Sequence, residues 1–353
     1  VRNALDMREL QRENRLLTER MLAEELHKPE AFKDLITVSH KMLNLFKYIE
    51  AVAMSSQALL VTGETGVGKE LVAHAVHQAS GRKGEFVAVN IAGLDDNMFS
   101  DTLFGHVRGA FTGADAVREG LVQKAADGTL FLDEIGDVCP GSQVKLLRLL
   151  QEREYFALGA DAPRRSTARV VTATCQTLNQ LDQKAGFRKD LLYRLRAHHV
   201  QILPLRERKE DLPVLLDHFL EKAARDLDKP KPAYSPELLT LLATYHFPGN
   251  IRELESMVYD AISNHATRIL STKHFRQRMG GLDSQATGFS ASGEPEALER
   301  ISFRDPLPTL QQAEDLLVRE ALTRSQGNQT IAARLLGISR QALNQRLKRK
   351  EIL

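Results

Sequence analysis

Gly63-Glu-Thr-Gly-Val-Gly-Lys69 has the spacing G-x-x-x-x-G-K, directly after an apolar run and ahead of a helical one. At that spacing the backbone N–H groups of Gly63, Glu64, Thr65, Gly66, Val67 and Gly68 can wrap a phosphate chain. The helix N-terminus beyond adds a favourable potential, and Lys69 reaches the outer phosphates. Residue 70 is Glu where the general pattern has Ser or Thr for Mg²⁺, so Glu70 is itself a candidate metal ligand. Downstream, Gly128-Thr-Leu-Phe-Leu-Asp133-Glu134 reads as an apolar strand ending in two carboxylates. An Asp at such a tip can hold Mg²⁺, and the Glu beside it can polarise an attacking water. A glycine-rich turn or a solvated acidic turn would explain either half alone. Together they read as a site that hydrolyses a nucleotide, with Mg²⁺ on the phosphates.

Residues that do this chemistry need a rigid frame. Apolar runs at Ala58–Thr62, Phe86–Val89, Thr129–Leu132, Ala168–Val171 and His199–Ile202 alternate with helical stretches, the pattern of a parallel sheet buried on both faces. From Leu205 to about Gly280 the pattern is helical, with Pro236 and Pro248 as helix starts or turns. The fold expected is an α/β P-loop module (29–205) with a helical lid (206–280). A polar Gly/Ser-rich linker (281–308) and a small all-α domain (309–353) follow. Before it all, Met7, Leu10, Asn14, Leu17 and Met21 recur at spacings of three and four. They fit either a short coiled-coil seam or an amphipathic helix packed on its own domain, over 1–28.

The 353 residues call for two or three units, and 42% hydrophobic with 27% charged residues fits globular protein. No apolar run approaches the roughly 20 residues that span a bilayer, so no membrane partner is expected. Cys139 and Cys175 make no disulfide framework, and the compartment expected is a reducing cytoplasm. The net charge of +2 does not by itself point to a partner. A first residue of Val suggests that an N-terminal portion is missing.

Between the two halves of the nucleotide site lies Gly109-Ala110-Phe111-Thr112-Gly113-Ala114, preceded by Leu103-Phe-Gly-His106. The hexapeptide resembles the GAFTGA signature of sigma-54-dependent transcriptional activators, the bacterial enhancer-binding proteins, whose ATPase belongs to the AAA+ class. The resemblance covers about 30–280 for the AAA+ module and 309–350 for a Fis-type DNA-binding domain. It implies that the six residues from Gly109 to Ala114 touch sigma-54 in the polymerase holoenzyme when ATP is bound, with Phe111 and Thr112 at the tip. An exposed Phe between small flanks suits a contact buried in one nucleotide state only.

The same resemblance makes Glu70 ordinary and assigns Asn90 to a nucleotide-dependent hold on Glu134. It places Arg188 and Arg194, in Phe187-Arg-Lys-Asp-Leu-Leu-Tyr-Arg-Leu195, as arginine fingers that act on a neighbour's nucleotide. Arg252, in Phe247-Pro-Gly-Asn-Ile-Arg-Glu-Leu254, is placed against the phosphates in cis. A homo-oligomer follows, from dimer to hexameric ring. The N-terminal helix would be the linker from a receiver or ligand-sensing domain, the former meaning two-component signalling. Three positions depart from the family pattern. Cys175 stands where an Asn follows Thr174, which leaves Thr174 to carry that role or turnover to be slower. Thr37 stands where a Gly is common, and Phe247 replaces a frequent Trp.

The C-terminal Gly327 to Leu343 reads as helix, tight turn, helix, with Gly337 in the turn and Ser339 as N-cap. Leu336, Ile338, Leu343 and Leu347 would form its core. Thr330, Ser339, Arg340, Gln341, Asn344 and Gln345 are then the candidate DNA contacts, since Arg and Asn/Gln can read base edges. Arg346, Lys348, Arg349 and Lys350 would meet phosphates of enhancer DNA. By resemblance, the helix over Thr309 to Arg324 helps to form a dimer on a palindromic site.

Overall fold

The computed structural model describes residues 26–264, 270, 272–285, 309–325 and 327–348. The Met7–Met21 helix, most of the linker, and Arg349 and Lys350 lie outside the described residues. Two compact units divide the chain: Val1–Leu215 with Pro248–Glu253, and Leu216–Phe247 with Leu254–Leu353.

In the first unit a 3-10 turn at Pro29–Phe32 precedes α1 (His40–Ala53), β1 (Leu59–Thr62), α2 (Lys69–Ser80), β2 (Phe86–Asn90) and α3 (Asp96–Phe104). A short hairpin, β3 (Gly105–His106) and β4 (Arg118–Glu119), leads to α4 (Leu121–Lys124), β5 (Thr129–Asp133) and α5 (Pro140–Glu152). A second hairpin, β6 (Glu154–Tyr155) and β7 (Arg164–Arg165), is followed by β8 (Arg169–Thr174), α6 (Leu178–Gln183), α7 (Lys189–Leu195) and β9 (His198–Gln201).

All five runs read as strands from the sequence enter one parallel sheet, in the order β2-β5-β8-β1-β9. Side chains alternate between its faces, as the twofold period of a strand requires. Leu60, Leu130, Leu132 and Val170 pack with Phe99, Leu103, Leu146, Leu149, Leu191 and Leu195 on one face. Leu59, Val61, Phe131, Val171 and Ala173 pack with Met42, Phe46, Ile49, Val72 and Val76 on the other. The three inner strands are therefore almost wholly buried, while edge strands β2 and β9 keep exposed positions. Register puts Asn90 beside Asp133, and Thr62 beside Thr174, at the carboxyl edge of the sheet. Ligands of open α/β sheets bind along that edge.

Helices α8 (Leu212–Asp226), α9 (Pro236–Ala243), α10 (Asn250–Ser263) and α11 (Thr272–Gln285) form the helical part; α8 and α10 begin in the first unit, at Leu212 and Asn250, and the rest lies in the second. Pro236 sits at the start of α9, where its missing N–H costs nothing. Lys229 Nζ donates to the last carbonyls of α10, Ile262 O and Ser263 O, a favourable place for a cation. Helix α11 continues through Gly280 and Gly281 to Gln285, five residues into the stretch expected to be linker.

The C-terminal three helices are α12 (Leu310–Arg324), α13 (Gln329–Leu335) and α14 (Arg340–Lys348). A reciprocal cap between Thr309 and Gln312 starts α12, and the Asn328 side chain caps α13. Val318, Ala321, Ala332, Ala333 and Leu343 form the small core, with Leu336, Ile338 and Leu347 packed against it.

Candidate active site

The phosphate-binding loop leaves β1 at Gly63 and enters α2 at Lys69. Gly66 (φ +78°) and Gly68 (φ +100°) take backbone conformations that suit glycine alone. Gly68 begins α2 with no side-chain cap, so the first-turn N–H groups point out of the helix end with its positive potential. Lys69, nearly buried, donates from Nζ to Gly63 O (2.9 Å) and Glu64 O (3.3 Å), and lies 3.9 Å from Glu134 Oε1. Its charge therefore lies between the loop and the carboxylates at the end of β5.

Those carboxylates are set differently. Asp133 Oδ1 accepts the Glu134 N–H at 3.0 Å. Glu134 sits at φ +56°, a left-handed conformation that costs a non-glycine residue about 1–2 kcal/mol. Its Oε2 accepts the Cys175 backbone N–H at 3.1 Å. Burial, together with the nearby Glu134 and Glu70 charges, pushes the Asp133 carboxyl above its ordinary range despite the Glu134 N–H and Lys69. An excess of negative charge at the phosphate loop fits a divalent cation. Among the described residues no three His, Cys, Asp or Glu side chains gather into a metal cage. An ion there would take most of its ligands from phosphates and water, as Mg²⁺ commonly does.

The other residues expected around Glu134 are placed less simply. The exposed Asn90 turns its amide oxygen to the Ala92 N–H (2.9 Å), and among the described residues it makes no hydrogen bond to Glu134. Thr174 is fully buried, with Oγ1 accepting from Gln176 N at 3.1 Å. In this conformation its hydroxyl accepts a bond from the turn after β8, and the main chain of Cys175 donates to Glu134.

Arg252 lies in the first turn of α10, exposed, with its N–H on Gly66 O (3.3 Å). The same neighbourhood holds residues that sequence reasoning missed. Asn250, fully buried at φ +51°, hydrogen-bonds Leu205, Glu64 and Thr65. Arg206 forks onto both Glu64 oxygens at 2.7 and 2.6 Å, which holds that carboxyl below its usual range. Thr62 Oγ1 lies 2.8 Å from His199 Nε2, whose pKa burial lowers. Arg208 donates to Val67 O, and the buried Asp211 beside it accepts from Thr37 Oγ1, Val38 N and Ser39 N. Only fold proximity joins these residues. The recurrent polar types at 204–211 and 248–252 were the available signal.

The Gly109–Ala114 loop is the tip of the β3–β4 hairpin. Gly109 (φ +82°) and Gly113 (φ +98°) shape it, and Gly109 N donates to Ala114 O at 2.8 Å. Phe111 is 49% exposed, its ring edge-on to His106 at 5.0 Å. His106 Nδ1 in turn meets Asp101 Oδ1 at 2.5 Å, and Asp101 also pairs with Arg118. Thr112 is exposed and Ala110 partly so. Ala114, 5% exposed with its N–H on Phe111 O, packs inward in this conformation and closes the loop from inside.

Of the two expected arginine fingers, Arg188 is the N-cap of α7 and Arg194 lies in its last turn. Arg188, exposed, pairs with Asp190 through Nε (3.0 Å) and NH2 (2.7 Å), and Gln143 Oε1 accepts its backbone N–H. Arg194 Nε donates to Leu150 O at 3.1 Å. In the C-terminal domain Thr330, Ser339, Arg340, Gln341, Gln345 and Arg346 are exposed and Asn344 is half-buried. Ser339 Oγ accepts Ala342 N, the N-cap expected of it, and Arg346 Nε is engaged with Glu314 at 2.5 Å. The Lys348 side chain lies outside the described residues.

A P-loop joined to a strand-end Asp-Glu pair on a five-stranded parallel sheet defines an AAA+ ATPase, here with a three-helix DNA-binding domain. Comparison with known families matches residues 35–201 to the sigma-54 interaction domain, 206–290 to the AAA+ ATPase lid domain, and 309–349 to the bacterial regulatory protein, Fis family. The DNA-binding transcriptional regulator NtrC of Escherichia coli (strain K12) is 38% identical over 327 residues, covering 89% of this chain and 70% of the relative. The transcriptional regulatory protein ZraR of Salmonella typhimurium is 38% identical over 316 residues, 89% of this chain and 68% of its own length. The crystal structure of NtrX from Brucella abortus in complex with ATP superposes with a TM-score of 0.66 at 27% identity, covering 98% of this chain and 73% of that one. The chain belongs to the sigma-54-dependent transcriptional activators. Among the described residues no helix is long and apolar enough to cross a membrane.

Proposed function

We propose that the chain couples hydrolysis of ATP by a ring of its own copies to movement of the Gly109–Ala114 loop against sigma-54. The observation that supports this reading is the convergence of Lys69 and Glu134, 3.9 Å apart, beside Asp133 at the mouth of the glycine loop. Main-chain N–H groups of residues 63–69 and the Lys69 ammonium hold the phosphates. Glu134 orients the water that attacks the γ-phosphorus, and the bond from that phosphorus to the β,γ-bridging oxygen breaks to leave ADP and phosphate. Asp133, with Glu70 close by, would hold a magnesium ion, which would supply positive charge to the phosphates during hydrolysis. Arg252 meets the phosphates from within the chain. Arg188 and Arg194 of a neighbouring copy supply positive charge to the transferred group, and Asn90 takes hold of Glu134 in another nucleotide state.

Phe111 and Thr112 form the contact tip, and a half-exposed Phe on a glycine-flanked loop suits a contact made and released in each cycle. Residues 309–350 bind enhancer DNA as a dimer, Arg340, Gln341 and Asn344 against base edges, and so raise the local concentration of ATPase modules. The organisation that follows is an AAA+ module (29–205), a helical lid that begins at 206 and runs through α11 to Gln285, and a DNA-binding domain (309–353). Phosphate release and sigma-54 capture test this together. Lys69→Ala should abolish release, whereas Phe111→Ala should keep release and lose ATP-state-dependent capture of sigma-54. Capture that survives Phe111→Ala would remove the loop from its proposed role.

A further inference from the structure

We propose that Asn250 is a positioning residue of the ATP site, fastening the phosphate-binding loop and Arg252 into one piece that meets the nucleotide as a unit. The proposal rests on the reading of Arg252 as a phosphate contact.

The Asn250 side chain is fully buried, and all its bonds reach other segments. Its amide oxygen accepts Leu205 N at 2.8 Å, and its Nδ2 donates to Glu64 Oε2 and to Thr65 O, both at 3.1 Å. An acceptor and two donors in one small plane are an amide's alone. Asp has the same shape but only acceptors, and Ser is too short. The φ of +51° narrows the choice further, since Asn tolerates the left-handed region better than most residues that carry a Cβ.

The next two residues complete the joint. Ile251 N and Arg252 N donate to Gly66 O at 3.0 and 3.3 Å. Four hydrogen bonds thus tie Glu64, Thr65 and Gly66 to Asn250, Ile251 and Arg252. Gly66 is a glycine for the same reason: a Cβ there would lie 2.3 Å from Gly249 O. Glu64 is pinned from its other side by Arg206, so the joint cannot relax by moving Glu64 alone. The Arg252 backbone is therefore fixed against the loop that would hold the phosphates, and a shift of either one carries the other.

Steady-state ATP hydrolysis by the full chain tests this with Asn250→Asp, Arg252→Ala, Glu64→Gln and their pairs, each folded by circular dichroism. Asn250→Asp sets a second carboxylate against Glu64 and should lower kcat/KM on the order of 100-fold, the usual cost of misplacing a catalytic group by about an ångström. Glu64→Gln restores a donor at that contact, so adding it to Asn250→Asp should recover much of the loss. Arg252→Ala should cost heavily alone and little more on the Asn250→Asp background. Losses that multiply would overturn the inference while leaving Arg252 in its role. Wild-type kinetics in Asn250→Asp, with only a lowered melting temperature, would reduce Asn250 to a residue of the fold. Wild-type kinetics in Arg252→Ala would overturn the Arg252 reading and the inference with it.

Discussion

Glu134 Oε2 accepts a hydrogen bond from the main-chain N–H of Cys175, 3.1 Å away. That main-chain donor is available whether position 175 is Cys or Asn, although the side chain at 175 also lies close enough to interact with the carboxylate. The thiol feels this arrangement. Burial first, then the negative charge of Glu134, pushes the Cys175 pKa up, so the unreactive thiol form persists to higher pH. In a Cys139→Ser background, alkylation by iodoacetamide should rise with pH to a midpoint above that of a free cysteine. Glu134→Gln should move the midpoint down. A midpoint unchanged by Glu134→Gln would contradict the electrostatic account.

Asp133 should set the acid limb of the hydrolysis profile. Its raised pKa means that, as pH falls, it takes a proton earlier than an ordinary aspartate. Protonated, it no longer offers a full charge to a metal. The acid limb of kcat/KM should lie above the normal aspartate range, and excess magnesium should shift it to lower pH, since the metal competes with the proton. A limb unmoved by magnesium concentration would assign it to another group.

Arg169 should matter for stability and not for chemistry. Its guanidinium, 1% exposed, donates to Val52 O (2.9 Å) and to Ala53 O at the C-terminal end of α1. Burial lowers its pKa to about 10, so it stays charged at neutral pH against the negative end of that helix. Arg169→Ala leaves the buried Ala53 carbonyl without a donor, removes one of the donors on Val52 O, and should destabilise the fold by about 2–3 kcal/mol. The check is the shift in urea midpoint.

Arg346 is free to meet DNA phosphate only when it leaves Glu314, 2.5 Å away. Glu314→Gln should tighten DNA binding and steepen its salt dependence by about one unit of slope, the signature of one more phosphate contact. Titration across salt concentrations measures both. Equal slopes would show that Arg346 faces away from the backbone.

Much of this arrangement was legible in the residues. The five sheet strands each contain a run of apolar residues long enough to register, and their observed bounds differ from the expected ones by a few residues at most. Asp133 and Lys69 were found because their spacing relative to strand and glycine is short and local. The β3–β4 and β6–β7 hairpins were not read as strands, because two-residue strands show no periodicity. Asn250 was passed over for a different reason. Its partners Glu64 and Thr65 lie 186 and 185 residues away, and nothing local distinguishes a buried Asn from a turn former. The inward packing of Ala114 in this conformation was equally illegible, because spacing alone cannot tell an inward residue from an outward one on a tight loop.

Hydrolysis in the proposed ring requires neighbours. In one copy Arg188 is paired with its own Asp190, so it must exchange that partner to reach another copy's nucleotide. Specific ATPase activity of the full chain, measured against protein concentration beside Arg188→Ala, tests this most directly. The account predicts a cooperative rise with concentration for the wild type and collapse of turnover, on the order of 10³-fold or more, in the variant. Activity that is independent of concentration, or that survives Arg188→Ala, would contradict it.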